Sequence, residues 1–124
     1  MFDLFKEFHF DAAHHLDMNV EPGHPHSRMH GHSFTAIVTL RGLPDLKTGY
    51  VMGFEEFDSA LAAVKNQLDH HYLNNIPGLE VPTLENISRW IWQKLIPDIP
   101  LLYSVTVKRG TLGEGCVFYG ISST

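Results

Sequence analysis

Apolar residues fall on alternate positions near the start of the chain. Phe8, Phe10 and Ala12 share one face by period two, with Lys6 interrupting it, and this predicts a first strand over about Leu4 to Ala12. A turn-rich loop with Asn19, Pro22, Gly23 and Pro25 follows. Phe34, Ala36, Val38 and Leu40 then alternate with Thr35, Ile37 and Thr39, so a second strand is expected from about Ser33 to Arg41. Gly42, Pro44, Asp45 and Gly49 break it. The period then changes to helical. Phe57, Leu61, Val64 and Leu68 predict a helix over about Glu55 to Gln67. The stretch Leu73 to Gly78 reads as a loop. Leu84, Ile87, Ile91 and Leu95 predict a second helix, with Thr83 as N-cap, Glu85 in the first turn and Pro97 ending it. Two closing strands, about Tyr103 to Arg109 and Gly115 to Ile121, flank a Gly-rich turn.

The order β-β-α-α-β-β predicts one α+β domain over residues 1–124, a four-stranded antiparallel sheet with two helices on one face. Four strands leave two edges, which favours a homo-oligomer.

Composition narrows the function classes. The formal net charge is -5 with no basic patch, so a nucleic-acid partner is not expected. No apolar run is long enough to span a membrane, and the N-terminal residues lack a signal-peptide pattern. One cysteine, Cys116, rules out an internal disulfide and fits a cytoplasmic setting.

The unusual feature is histidine. There are nine, and His24, His26, His30 and His32 fall within nine residues. His30 and His32, two apart at the head of the second strand, project to one face, with Gly31 between them. His14 follows the first strand on the parity of Phe8, Phe10 and Ala12. If the two strands pair as a hairpin, His14 meets His30 and His32. Three imidazoles with a fourth position open suit a catalytic zinc ion rather than a structural one. His9, of opposite parity, and His15 are read as ordinary polar residues. Asp69-His70-His71, after the first helix, is either a carboxylate–imidazole pair for proton transfer or a helix C-terminal cap.

Phe10-Asp11-Ala12-Ala13-His14, His30-Gly31-His32, Leu68-Asp69-His70-His71 and Pro82-Thr83-Leu84-Glu85-Asn86 resemble the 6-pyruvoyltetrahydropterin synthase family. The likeness is greatest to its bacterial 6-carboxytetrahydropterin synthase branch, of queuosine biosynthesis. The resemblance implies a tunnelling fold, trimers or hexamers, and lyase chemistry on a dihydropterin such as 7,8-dihydroneopterin triphosphate. It implies that His14, His30 and His32 hold zinc, which polarises the substrate's side-chain oxygens, and that Asp69 and His70 relay protons.

The chain departs from the family pattern at three positions. His26 stands where the family carries its cysteine base. Arg109 stands where a glutamate anchors the pterin ring; arginine has only donors, so it cannot accept the ring's N–H groups. Glu114, in a longer turn, is a candidate replacement acid. Gly53 replaces an aspartate before the first helix, an expected lost cap of about 1 kcal/mol. Two alternatives therefore stay open: a paralogue whose anionic substrate is held by Arg109, and a metal-holding oligomer without turnover.

Overall fold

The structure, a computed structural model, describes residues 1–16, 21, 23 and 29–120. Strand β1 (Phe2–His14) pairs antiparallel with β2 (His30–Gly42), β2 with β3 (Leu102–Arg109), and β3 with β4 (Gly115–Phe118), giving sheet order β1-β2-β3-β4. Helices α1 (Phe54–Leu68) and α2 (Leu84–Leu95) come between β2 and β3.

Alternation decides which face is buried. Phe8, Phe10, Phe34, Ala36, Val38, Val105 and Val107 form one core cluster with Phe57, Leu61, Val64 and Leu68 of α1 and Ile87, Trp90, Ile91 and Leu95 of α2. Phe10 and Phe34, directly opposite in register, stack with centroids 4.9 Å apart. The other sheet face carries Phe5, Ile37 and Val117, each at least partly exposed. Lys6, the interruption in the β1 pattern, lies on the buried parity but ion-pairs with Asp58 at the margin of α1 and sits over the Phe54 ring. Its stem follows apolar surface while the ammonium reaches a partner.

The elements differ from expectation mainly at their ends. Both first strands are longer than the alternating pattern suggested, since polar residues such as His30 and His32 lie inside β2. Strand β4 is shorter than expected and stops at Phe118. Gly120 adopts φ 90°, and a Cβ there would lie 2.7 Å from the Trp92 ring, so the chain turns off the sheet to pass over that indole. The stretch expected as loop contains a 3-10 turn, Leu73–Asn75, whose Leu73 is fully buried.

Thr83 caps α2, its side chain accepting from the Asn86 N–H at 3.2 Å. Gly53 precedes α1 with no side-chain cap, as expected, but the cost is smaller than expected. Glycine is itself a tolerated N-cap, so the loss is only a few tenths of a kcal/mol, and Glu55 and Glu56 complement the helix N-terminus.

Phe34 lies at the meeting of both strands with the helix layer and is fully buried. Phe34→Ala is expected to lower unfolding free energy by about 3–5 kcal/mol, whereas Leu46→Ala, at a fully exposed position, changes it by less than about 0.5 kcal/mol. Urea denaturation of the metal-free protein checks both.

Candidate metal centre

Strand register builds the centre. His14 is the Cα partner of His30, and Ala12 is the partner of His32. All three imidazoles therefore emerge on the helix-facing side where β1 ends and β2 begins. Among the described residues they are the group of ligating side chains that comes within reach of one ion, with one ligand atom from each within 4.8 Å of the others.

His14 is 1% exposed. Its Nδ1 donates to the Pro82 carbonyl at 3.1 Å, which fixes the tautomer and turns Nε2 toward the other two rings. That Nε2 is buried without a hydrogen-bond partner, and the Nε2 atoms of His30 and His32 are buried beside it. An imidazole held by a backbone carbonyl on one nitrogen, with a bare buried nitrogen on the other, is the usual arrangement of a metal-binding histidine. Burial pushes the His14 pKa down to about 4, with the charges of His30, His32 and Arg109 acting in the same direction. His14 is therefore neutral at physiological pH, the form that ligates. Donor type, convergence and the bare nitrogen all fit a divalent metal ion such as zinc.

Beside the triad lies an open cleft of about 510 Å³, lined by Asp11, Gly31, His32, His70, His71 and Tyr72 among others. Asp69 Oδ1 accepts from the Asp11 N–H at 2.9 Å, which holds the Asp69 carboxyl below its usual range, while Oδ2 lies 3.6 Å from His70 Nε2. His70 has φ 59°, a left-handed backbone uncommon outside glycine, and its side chain is 80% exposed. The helix-cap reading belongs partly to its neighbour: His71 Nδ1 donates to the Asp69 carbonyl at 2.8 Å, just past the end of α1.

Arg109 lies on the buried parity of β3, opposite Phe34, whose ring meets those of His14 and His32 edge-on. It is not a free cation. Its Nε donates to Glu114 Oε1 at 2.9 Å, and Nη2 bonds the same oxygen. The Arg109 side chain is 15% exposed and that of Glu114 is 47% exposed. His26 lies outside the described residues. His9 faces the opposite side of the sheet and bonds Thr35 Oγ1 at 2.9 Å. Cys116 sits against Ser88 of α2, Sγ to Oγ 3.5 Å, and burial raises its pKa, so it stays a thiol.

The sequence reading includes His71 only as part of the Asp69-His70-His71 cluster and assigns no site role to Asp11, Tyr72 or the Pro82 carbonyl. Asp11 and Tyr72 carry no spacing signal, because they reach the cleft through backbone pairing. The Pro82 carbonyl belongs to no side-chain motif.

The family model described as 6-pyruvoyl tetrahydropterin synthase matches residues 3–120. The chain belongs to the 6-pyruvoyl tetrahydropterin synthase family. The 6-carboxy-5,6,7,8-tetrahydropterin synthase of Synechocystis is 43% identical, over 86% of this chain and 85% of that one. The dihydroneopterin monophosphate aldolase of Pyrococcus furiosus is 36% identical, over 88% and 86%. The 6-pyruvoyl tetrahydropterin synthase of Caenorhabditis elegans superposes with a TM-score of 0.86, covering 97% of this chain and 96% of that one, at 24% identity. That likeness shows the family's tunnelling fold. No helix among the described residues is long and apolar enough to cross a membrane.

The depressed His14 pKa sets a pH dependence for the metal-free protein. Below pH 6.5 the unfolded chain takes up a proton at His14 that the folded chain, with its pKa near 4, does not. Stability is therefore expected to fall as pH drops from 6.5 toward 4, by about 3 kcal/mol from this residue. Urea midpoints across that range check it, and His14→Leu is expected to flatten the slope.

Proposed function

We propose that this chain is a zinc-dependent lyase acting on a dihydropterin such as 7,8-dihydroneopterin triphosphate. The observation that carries the reading is the buried convergence of His14, His30 and His32, with the His14 ring fixed by Pro82. The substrate class rests on the family and on the pterin enzymes named among the relatives.

His14, His30 and His32 hold the ion. Zinc bound there supplies a Lewis acid for the substrate's side-chain oxygens. Asp69 orients and supports His70, and this pair exchanges protons with a substrate lying in the cleft between the triad and His70. His26 serves as the base that a cysteine supplies elsewhere in the family; imidazole is suited to that work near neutral pH. Glu114 accepts the N–H groups of the pterin ring, and Arg109 holds that carboxylate. The ion pair favours this assignment over a free anion site at Arg109, because both guanidinium contacts go to Oε1 and, among the described residues, no hydrogen bond engages Oε2. The working form is a homo-oligomer, trimer or hexamer, whose subunits cover the partly exposed Phe5, Ile37 and Val117 of the open sheet face.

A second reading has its own support. The Pyrococcus relative is named for cleavage of a dihydroneopterin monophosphate. An aldolase reaction on a monophosphate substrate would use the same triad and cleft.

Incubation with 7,8-dihydroneopterin triphosphate and, separately, with dihydroneopterin monophosphate distinguishes the two by product. The lyase reading expects turnover of the triphosphate, lost on chelation and restored by zinc. Loss of an acceptor that the bound ring desolvates costs about 1–3 kcal/mol, so Glu114→Gln is expected to lower kcat/KM by about 5- to 150-fold, mostly through KM. Full activity in His26→Ala would remove His26 as the base. Stoichiometric zinc with turnover of neither compound would leave a non-catalytic metal-binding oligomer.

A further inference from the structure

The segment after α1 returns along the free edge of β1. The Asp11 N–H donates to Asp69 Oδ1 at 2.9 Å, and the Asp11 carbonyl accepts from the His70 N–H at 2.7 Å. The Ala13 N–H donates to the His71 carbonyl at 3.2 Å, and Ala13 and Tyr72 form a parallel bridge. This ladder reaches Tyr72 and then passes into the 3-10 turn. The next contact, to His15 just past the end of β1, is made by a side chain. Asn74 Oδ1 accepts from the His15 N–H at 2.9 Å, and Asn74 Nδ2 donates to the His15 carbonyl at 3.1 Å. The same Nδ2 donates to the Glu80 carbonyl at 3.3 Å.

One amide therefore joins two places that meet at the metal centre. The first is the backbone of His15, adjacent to the His14 ligand. The second is the backbone of Glu80, two residues before Pro82, whose carbonyl holds His14 Nδ1. The amide reproduces both hydrogen bonds of a strand neighbour where no strand continues, and adds a third to the approaching loop. An aspartate could keep the acceptor but neither donor.

We propose that Asn74 is a positioning residue for the metal centre, setting the His14 backbone and the Pro82 carbonyl in one frame so that the imidazole presents Nε2 to the ion. This rests on the reading of the triad as a zinc site. Groups that orient a ligating histidine tune metal affinity by about 10- to 100-fold when removed, and Asn74 acts one step further out, through backbone.

The test uses the full chain as Asn74→Ala and Asn74→Asp, with Asn75→Ala at an exposed neighbouring position as control. Zinc affinity is measured by competition with a chromogenic chelator, and melting temperature is measured on the metal-free proteins. The expected result is zinc affinity weakened about 10-fold or more in both Asn74 variants, with one ion still bound per chain and Asn75→Ala unchanged. The weakening is expected at temperatures well below each variant's metal-free melting point. If the Asn74 variants melt lower yet bind zinc as tightly as the parent while folded, Asn74 is merely structural and the proposal is overturned. Should Asn74→Ala fail to fold, the near-isosteric Asn74→Asp decides on the same criteria. A parent protein that binds no zinc overturns the metal reading itself, a result distinct from either.

Discussion

The pairing register of β1 with β2 is the constraint on which the candidate site depends. In this register His14 faces His30, Ala12 faces His32, and Phe10 stacks on Phe34. A one-residue slip in β1 would turn His14 to the open face together with Phe8 and Phe10, because side chains alternate across a strand. The hydrophobic stripe therefore does more than bury apolar area. It makes the wrong register expensive, and the three imidazoles inherit that precision at the strand ends. They are placed by the core, while the fine orientation of His14 comes from the Pro82 carbonyl.

Much of this was legible in the sequence because it is written in side-chain periodicity. The alternation of Phe34, Ala36, Val38 and Leu40 named the buried face of β2, and His30 and His32 follow from the same count. Both helices lie within a residue or two of their apolar stripes, with Thr83 at the start of α2. Strand ends were less legible. Ladder hydrogen bonds continue past the last apolar residue, so β2 begins at His30 and not Ser33. Side-chain periodicity carries no sign that Gly120 must pass over Trp92.

The outer parts of the site were legible only in part, for a different physical reason. Asp69 and His70 could be noticed as a chemical pair, but not the ladder that carries them back along β1, since that ladder uses backbone atoms of Asp11 and Ala13. Parity placed Arg109 on the buried side but did not reveal that Glu114 neutralises it, since the pair closes across a turn whose length hides the geometry. That ion pair changes the meaning of the substitution: the arginine need not recruit an anionic substrate, because it already holds a carboxylate near the triad.

In the proposed centre three imidazoles and no other protein group would bind the zinc, leaving one position for substrate. X-ray absorption at the zinc edge, on the loaded wild-type protein, tests it most directly. The account predicts three imidazole nitrogens at about 2.0–2.1 Å and one non-protein oxygen. A shell of four imidazoles, with His26 or another histidine closing the site, or one containing sulfur at about 2.3 Å, would contradict it.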